Sequence, residues 1–439
     1  MQLNHSETQL PGSIMDRKKI SLDLGMSASA QVIMKLVSYI VITILARYLS
    51  KDDMGAFFFA ATLATFFALL TELGTNRYLN REVSENPSQA LNRLSEVFSL
   101  RVVLQVIFIL ALYAFTALTK PEIITTVVLT SIYIFLDQLN YSFTAFFLGL
   151  RDVKIYALTI ISSKLLLTIL VLAATRFSAS LNLILLCYIS ANTFLILFSY
   201  FQARRISGKL DWFWERETEW AIIRKSLPFF LVTYLTMMHF NIDTLMLGYF
   251  QPYTDVASYT SGFKMLEVSQ FVIRPLVLVF FPISTRMVIG GCWDELKTLF
   301  RNLLLGAGIF GLLAAIAVFA SADYLILFIF GPKYSSSAGI LRILFLSAPF
   351  LYMWLIAFFF AASLHIESKA ALAIAVSVGV NALLNLVSIK SLGTTGVAWS
   401  TVISQGLMTI WIVVLAWRQL QIRHVDSVVN QQPLTLTPD

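Results

Sequence analysis

The chain has 439 residues, of which 58% are hydrophobic and 13% charged, and its formal net charge is +7. Soluble domains carry about 25% charged and 45–50% apolar residues, so this chain has too few polar groups to cover a water-soluble protein of its size. The composition predicts a polytopic membrane protein. It argues against a cytosolic enzyme, a nucleic-acid-binding protein and a disulfide-stabilised secreted domain.

Twelve apolar stretches are long enough to cross a bilayer as helices. A hydrocarbon core about 30 Å thick requires roughly 20 apolar residues per helix. The predicted spans cover residues 26–49, 55–74, 96–118, 123–147, 156–175, 181–203, 227–250, 257–282, 299–320, 337–363, 370–389 and 396–417. The apolar segment 324–330 is too short to cross and is predicted to connect the ninth and tenth helices.

Basic residues set the predicted topology, because cytoplasmic loops of membrane proteins are enriched in Lys and Arg. When residues near a span end are counted with the adjoining side, 21 of the 32 Lys and Arg are assigned to the side of the N-terminus, six to the opposite side and five to the interior of spans. This bias predicts that both termini are cytoplasmic. The first span follows Arg17, Lys18 and Lys19, and it is too long for a secretory signal and has no cleavage-like end.

The spans fall into two predicted lobes of six helices each. The predicted domains are an N-terminal tail (1–25), a first lobe (26–203), a cytoplasmic linker (204–225), a second lobe (226–417) and a C-terminal tail (418–439). The linker carries four aromatic residues among charges, which favours an amphipathic helix at the membrane interface; they are Trp212, Phe213, Trp214 and Trp220.

An internal repeat supports the two lobes. Segments 46–82 and 247–286 share one order of features: a span end, a short polar turn, a second span and a basic exit. Each lies at the first hairpin of a six-span half. Because both halves enter from the cytoplasm, they are predicted to be parallel repeats related by a pseudo-twofold axis along the membrane normal.

Charged residues inside the spans are the candidate functional residues. A charge at the bilayer centre costs about 2.5–3.5 kcal/mol on insertion scales, so such residues usually face a cavity or a partner. The spacing of Lys264, Glu267, Phe271 and Arg274 predicts one helical face and a cationic stripe. Basic groups there indicate a polar cavity for an anionic substrate. The predicted substrate-binding residues are Lys35, Asp137, Lys164, Asp243, Lys264, Glu267 and Arg274.

Structural pairing is the alternative for single members of this set. Lys164 could pair with Asp137, and Lys264 with Glu267. The lone His239 inside a span could couple transport to protons, although a packed and hydrogen-bonded histidine is the commoner case.

The sequence contains no motif for several kinds of chemistry. The sequence has no GxxxxGK[ST] phosphate loop and no HExxH or Cys/His spacing, so neither a built-in ATPase nor a metal site is predicted. Cys187 and Cys292 give no disulfide framework. No cofactor is expected. Large extramembrane loops that could house catalysis are lacking, so enzymatic activity is disfavoured.

Short motifs are spread from residue 46 to residue 399. They are Ala46–Leu49, Met54-Gly55, Glu72-Leu73-Gly74 with Arg81-Glu82, Ser226–Pro228, Asp243–Gly248, Ala257–Tyr259 with Lys264, Phe281-Pro282, Phe330–Tyr334 and Leu392–Trp399. In their order and spacing they resemble bacterial polysaccharide flippases of the O-antigen type, which belong to the multidrug/oligosaccharidyl-lipid/polysaccharide exporter (MOP) superfamily. One departure is Glu72, where the family more usually has Asp.

The resemblance implies a function. It implies alternating access of two six-helix lobes around a central cavity lined mainly by the first, second, seventh and eighth helices. The substrate would be an undecaprenyl-pyrophosphate-linked oligosaccharide, moved across the bacterial inner membrane to its outer face. Lys35, Lys264 and Arg274 would neutralise the pyrophosphate. Partners would be membrane lipids and also the polysaccharide polymerase and chain-length machinery.

Three other functions are open at this point. A multidrug exporter of the same superfamily would favour a cavity with more acids than bases. A membrane enzyme that polymerises or ligates lipid-linked glycans would need a large outer catalytic segment. A scaffold without transport activity would leave the charges inside the spans unexplained.

Overall fold

The computed structural model of the chain describes residues 14–177 and 180–431, and no β-strand occurs among them. The helices are α1 (Ile14–Tyr48), α2 (Lys51–Glu72), α3 (Thr75–Glu85), α4 (Ala90–Thr119), α5 (Ile124–Gly149), α6 (Val153–Phe177), α7 (Leu181–Ser207), α8 (Arg216–Phe250), α9 (Tyr253–Ser269), α10 (Arg274–Ile289), α11 (Trp293–Ile329), α12 (Ser337–Phe345), α13 (Ala348–Ser363) and α14 (Glu367–Gln431). The predicted all-α fold is confirmed.

Membrane spans can be counted from helix length and apolarity. Within the described ranges, nine helical segments are long and apolar enough to cross a bilayer, and two bent helix pairs raise this number to eleven. One of the nine is the 57-residue segment Glu367–Arg423. At 1.5 Å per residue it is far longer than a bilayer is thick, and Gly393 interrupts it with φ 54° and ψ −134°. Counting its two arms separately gives the predicted twelve spans.

The predicted tails fall partly beyond the described residues. Residues 1–13 and 432–439 lie outside the description, and so do the side chains of Arg17, Lys18 and Lys19. The cytoplasmic location of both termini stays a prediction.

A local sequence signal explains where α2 begins and ends. Ser50 caps its N-terminus by accepting a hydrogen bond from the Asp53 backbone N–H at 3.0 Å. The helix ends at Leu73 and Gly74, both of which have left-handed backbone conformations (φ 44° and 76°). The turn between α2 and α3 therefore lies in the Glu72-Leu73-Gly74 motif.

The predicted eighth span is broken. Helix α9 ends at Ser269, a 3-10 turn covers Gln270–Val272, and α10 begins at Arg274. Pro275 is the cause: it has no N–H to donate to the carbonyl one turn earlier, and its ring clashes with the preceding turn. The prediction of a single uninterrupted helical face through Lys264 and Arg274 is therefore wrong.

Two connections also differ from prediction. Segment 324–330 is not a connection, because α11 continues to Ile329. The linker is not one amphipathic helix: α7 ends at Ser207, Gly208 has φ 102°, and residues 208–215 are non-helical before α8 begins. A left-handed glycine satisfies the last helical carbonyls and ends the helix, which the aromatic pattern of the linker does not reveal.

The helices form two compact units. Unit 1 comprises residues 1–44, 74–107 and 132–226, and unit 2 comprises residues 45–73, 108–131 and 227–439. The lobe boundaries that the sequence suggested stay a prediction.

Unit 1 has a continuous apolar core and one buried arginine. Helix α3 buries Thr75, Tyr78, Leu79 and Val83, which follow the three- and four-residue spacing of one helical face. Arg101 is fully buried. One nitrogen of its guanidinium, Nη1, lies within hydrogen-bonding distance of three oxygen atoms: the side-chain oxygens of Asn76 and Ser142 and the Gln138 carbonyl.

Unit 2 depends on close helix contacts at glycine. In the packing of α2 against α9, a Cβ at Gly55 would lie 1.7 Å from the Tyr253 carbonyl oxygen. At Gly248 on α8, a Cβ would lie 2.0 Å from the Phe59 ring. Small residues allow helix backbones to approach in a membrane.

We expect Gly55→Ala to destabilise the protein by about 1–3 kcal/mol, the usual cost of overpacking. Here the obstacle is backbone, which cannot rotate away as a side chain can. Gly306→Ala on α11 is the matched control, because nothing lies within 4 Å of its added methyl. The control should stabilise its helix by up to about 1 kcal/mol. Thermal unfolding in detergent measures both, and equal midpoints for the two variants would contradict the packing argument.

Candidate functional site

A buried carboxylate lies at the centre of a polar cluster in unit 2. Asp243 on α8 is 1% exposed. Its side chain accepts three hydrogen bonds, from the Tyr259 hydroxyl at 2.6 Å, from the Thr401 hydroxyl at 2.7 Å and from the Asn385 amide at 2.7 Å. Charge-assisted bonds of this kind are the strong ones in proteins, and they offset the cost of burying the charge.

The fold explains how these partners meet. Tyr259 comes from α9, while Asn385 and Thr401 lie on the two arms of α14, on either side of Gly393. The break at Gly393 lets both arms contact the same carboxylate. Asp243 therefore joins four helical segments through its hydrogen bonds: α8, α9 and the two arms of α14.

The cluster continues through uncharged side chains to a histidine. The Asn385 amide also donates to the Asn381 side-chain oxygen at 2.9 Å, and the Asn381 amide donates to the Ser404 hydroxyl at 3.2 Å. Ser377 donates to the Ser404 carbonyl at 2.8 Å and contacts His239 Nδ1 at 3.3 Å.

The donor atoms of this cluster define its chemistry. One carboxylate is surrounded by hydroxyl and amide groups, and nowhere in the described residues do three His, Cys, Asp or Glu side chains approach closely enough to hold a metal ion together. The arrangement offers hydrogen-bonding oxygen atoms and a single negative charge.

Lys264 and Glu267 form an ion pair one turn apart on α9. The Lys264 ammonium lies 2.7 Å from the Glu267 carboxylate, and the two side chains are 25% and 30% exposed. The pairing that the sequence left open for these two residues is thus observed. It does not bury the charges, so a ligand can still reach them.

Arg274 lies on a different helix from this ion pair. It is the first residue of α10 and is exposed. Its guanidinium carbon lies 5.4 Å from the centre of the Phe271 ring, within cation–π range. The protein does not bury the guanidinium of Arg274.

The remaining predicted residues, Lys35, Asp137 and Lys164, belong to unit 1 and are all partly buried. No ion pair joins Lys164 to Asp137, both of which the structure describes. Their role in substrate binding stays a prediction, as does that of the residues in unit 2.

Comparisons with known proteins identify the family. Residues 23–288, more than half of the chain, match the sequence profile of the family described as "Polysaccharide biosynthesis protein". The chain belongs to this polysaccharide biosynthesis family. The family predicted from the motifs is confirmed at this level. No curated protein sequence matches this family member significantly.

Solved structures of MOP superfamily transporters share the fold of this polysaccharide biosynthesis protein. An inward-facing multidrug resistance MATE transporter is 15% identical with a TM-score of 0.73, covering 90% of this chain and 96% of its own. A MOP superfamily transporter from Pyrococcus furiosus is 13% identical with a TM-score of 0.63, covering 92% and 95%. The lipid II flippase MurJ is 15% identical with a TM-score of 0.61, covering 94% and 93%. At these identities the likeness shows the fold, which is that of multi-pass membrane transporters.

Sequence reasoning found the charge of the buried cluster in this polysaccharide biosynthesis protein but not its partners. Asp243 stood out because a carboxylate in an apolar span is rare. Tyr259, Asn385 and Thr401 did not, because uncharged polar residues are common in membrane helices. Asparagines four residues apart at 381 and 385 were the available signal, since both lie on one helical face.

A second missed residue lies in unit 1 of this polysaccharide biosynthesis protein. Glu219, in the first turn of α8, is 3% exposed, and none of the described residues donates a hydrogen bond to either carboxylate oxygen. Burial raises the pKa of this carboxyl to about 7, and the negative charge of Glu96 adds to the shift. Glu219 lies outside the candidate span Phe230–Phe250.

This raised pKa predicts a pH-dependent stability. The folded protein binds the Glu219 proton more tightly than the unfolded chain, whose carboxyl has the ordinary value of 4.5. Stability should therefore fall as pH rises from about 4.5 to about 7. Glu219→Gln removes the buried charge and should stabilise the protein at pH above 7 by about 1–3 kcal/mol, with a smaller gain in acid. Thermal unfolding across pH measures this difference.

Glu217 provides the control for that experiment. It lies two residues earlier in the same helical turn and is exposed, so Glu217→Gln should leave the pH profile unchanged. A Glu219→Gln variant whose stabilisation is the same at every pH would contradict the assignment of the raised pKa.

Proposed function

We propose that this polysaccharide biosynthesis protein is a flippase that moves an undecaprenyl-pyrophosphate-linked oligosaccharide, an O-antigen or related surface polysaccharide unit, across the bacterial inner membrane. The observation that carries the proposal is the family match over residues 23–288. The transporter fold supports it, because MurJ, which shares the fold, is a lipid II flippase. In this proposal the protein works by alternating access, has both termini in the cytoplasm and is not an enzyme.

Lys264 and Arg274 are proposed to bind the pyrophosphate. Moving a multiply charged headgroup through hydrocarbon is prohibitive unless fixed cations replace its water. Lys264 is positioned by Glu267, and an incoming pyrophosphate would compete with that carboxylate for the ammonium. Arg274 offers an exposed guanidinium suited to bidentate contacts with phosphate oxygens. Lys35, Asp137, Lys164 and Asp243 complete the proposed substrate-binding set.

The proposal includes the wider context of the substrate. The prenyl tail would stay in lipid while the headgroup crosses. Translocated units would pass to a polysaccharide polymerase and its chain-length machinery, which are the proposed partners. No cofactor has a role in this scheme.

A multidrug exporter is the second candidate, favoured by the TM-score of 0.73 to a multidrug resistance MATE transporter. Organic cations would need an acidic binding site. Unit 2 contains two of the proposed bases, Lys264 and Arg274, and two acids, Glu267 and Asp243, of which Asp243 is buried and hydrogen-bonded, so the accessible charge does not favour a cationic cargo.

A deletion strain tests the two candidates against each other. A flippase deletion should accumulate lipid-linked repeat units on the cytoplasmic leaflet and lose surface polysaccharide, and the plasmid-borne gene should restore both. Accessibility of the glycan to an added glycosidase in oriented vesicles measures the leaflet. Unchanged lipid intermediates together with sensitivity to organic cations would reject the flippase and support the exporter.

A further inference from the structure

His239 lies inside the apolar interior of unit 2, where an ionisable side chain is expected to have a function. It is 4% exposed and lies one helical turn before Asp243 on α8. Its two ring nitrogens each face a polar side chain of α14: Nε2 lies 2.9 Å from Gln405 Oε1, and Nδ1 lies 3.3 Å from Ser377 Oγ. The hydrogen-bond partners of these two residues determine where the ring carries protons.

Gln405 fixes the role of Nε2. Its amide nitrogen donates to Thr409 Oγ1 at 3.3 Å. The Thr409 hydroxyl has its own acceptors, the Phe350 carbonyl at 2.9 Å and the Gln405 carbonyl at 2.8 Å. Because Thr409 donates to a carbonyl, it accepts from the amide, and the amide oxygen then faces the histidine. Nε2 of His239 must therefore carry a hydrogen and donate it.

Ser377 determines the role of Nδ1. A serine hydroxyl has one hydrogen, and that of Ser377 has an acceptor at 2.8 Å, the Ser404 carbonyl. If Ser377 donates there, only its lone pairs face Nδ1, and a bare Nδ1 would lie opposite another acceptor. All of these hydrogen bonds form together only when Nδ1 also carries a hydrogen. The alternative, in which Ser377 turns its hydrogen toward Nδ1, suits the neutral ring.

From this geometry we infer that His239 Nδ1 is a proton-binding site. The site has two settings that need no backbone movement: the Ser377 hydroxyl donates to Nδ1 when the proton is absent, and to the Ser404 carbonyl when the proton is present. The proton enters at one atom, and a single hydroxyl rotation accommodates it.

The charged groups near the ring follow from the helices around it. On its own helix, the nearest acidic residue in the sequence is Asp243, four positions later. Residues four apart on a helix have Cβ atoms about 5–6 Å apart, so a protonated ring and the Asp243 carboxylate form a buried pair of opposite charges. From α9, Tyr259 donates to Asp243, and the two α14 side chains that contact the ring, Ser377 and Gln405, are uncharged.

The second arm of α14, which follows Gly393, contacts both ionisable groups of α8 and so links proton binding to the packing of these helices. It supplies Gln405 and Ser404 to the histidine network and Thr401 to Asp243. Any movement of this arm against α8 changes the partners of both ionisable groups at once. Proton occupancy and the packing of the arm are then linked, and each shifts the other by the same free energy. Use of the proton to drive substrate movement rests on the proposed flippase function, whereas the proton site itself does not.

Nitrogen-15 NMR of histidine-labelled protein in lipid nanodiscs tests the site directly. His239→Gln identifies the His239 signals by their loss. We expect Nε2 to stay protonated from mildly acidic to mildly alkaline pH, while Nδ1 loses its proton on titration. Ser377→Ala removes the oxygen that accepts from protonated Nδ1 and should shift this titration toward lower pH. An Nε2 without a hydrogen, or an Nδ1 that never binds one, would overturn the inference.

Proton movement in proteoliposomes tests the coupling. With purified lipid-linked oligosaccharide as substrate, an internal pH-sensitive dye should report a substrate-driven pH change for the wild-type protein. His239→Gln should abolish that change, because a glutamine amide does not bind the proton. Exposed His365, at the end of α13, is the matched control, and His365→Gln should behave as wild type.

The two experiments separate the possible failures. If His239→Gln moves lipid-linked oligosaccharide with the same dependence on a pH gradient as wild type, the coupling role is wrong and the flippase stands. If the wild-type protein moves no lipid-linked oligosaccharide but Nδ1 titrates as described, the proposed flippase function is wrong and the proton site stands.

Discussion

Replacing Asp243 with alanine is expected to produce the largest loss of stability of any single substitution in the buried cluster. The change leaves the Tyr259 and Thr401 hydroxyls and the Asn385 amide without their shared acceptor. Removing one partner from a buried charged network typically costs about 3–5 kcal/mol. Asp243→Ala should therefore unfold at a clearly lower temperature in detergent and accumulate poorly in the membrane.

Two further variants serve as comparisons for that stability loss. Asp243→Asn keeps the shape and an acceptor oxygen but removes the charge, so we expect a smaller loss of about 1–3 kcal/mol. Asp323→Ala is the matched control, because Asp323 is paired with Arg342 but is 68% exposed, and exposed pairs contribute about 0–1 kcal/mol. Intrinsic tryptophan fluorescence can follow unfolding in all three. Equal losses for Asp243→Ala and Asp323→Ala would contradict the structural role of the cluster.

The sequence predicted the spans well because hydropathy depends on composition over about 20 residues. It predicted the breaks inside spans poorly for the same reason. Ser337–Phe345 and Ala348–Ser363 are bent by 47° relative to each other, yet the apolar run from 337 to 363 continues through the bend. A break within apolar sequence changes the hydrogen bonding of the backbone and leaves hydropathy unchanged. Pro275 was a visible signal for the other break, in a run otherwise typical of one helix.

The candidate site was also predicted only in part: its charged residues were found, and their partners were not. Charges such as Asp243 and Lys264 are conspicuous in apolar spans, so a single sequence reveals them. Their surroundings depend on which helices pack together, and that information is not local: Asn385 and Thr401 reach Asp243 from more than 140 positions away in the chain. Glu219 is the clearest example, since its sequence context of charges and tryptophans predicted an amphipathic linker at the membrane interface, whereas tertiary packing buries this carboxylate.

Removing the cations of the proposed substrate site is expected to have the largest effect on activity. Hydrogen bonds to charged groups contribute about 1.5–3 kcal/mol each. Lys264→Ala and Arg274→Ala should each reduce translocation by about 10- to 150-fold on that basis, enough to abolish complementation at normal membrane levels. Lys264→Arg and Arg274→Lys should be partly tolerated, because they keep the charge but change its geometry. Full activity in both alanine variants would reject the proposed role of the cations.

A double variant distinguishes loss of the cation from damage to the helix. Lys264→Ala alone also removes the ammonium that lies 2.7 Å from the Glu267 carboxylate, and the negative charge that remains there would by itself repel a pyrophosphate. Lys264→Ala combined with Glu267→Ala removes both charges. If the ammonium binds the pyrophosphate, the double variant stays as inactive as the single one. If the lysine serves only to neutralise Glu267, the double variant recovers activity. Because the two side chains are adjacent on one helix and partly exposed, this pair of measurements assigns the positive charge either to the substrate or to the fold.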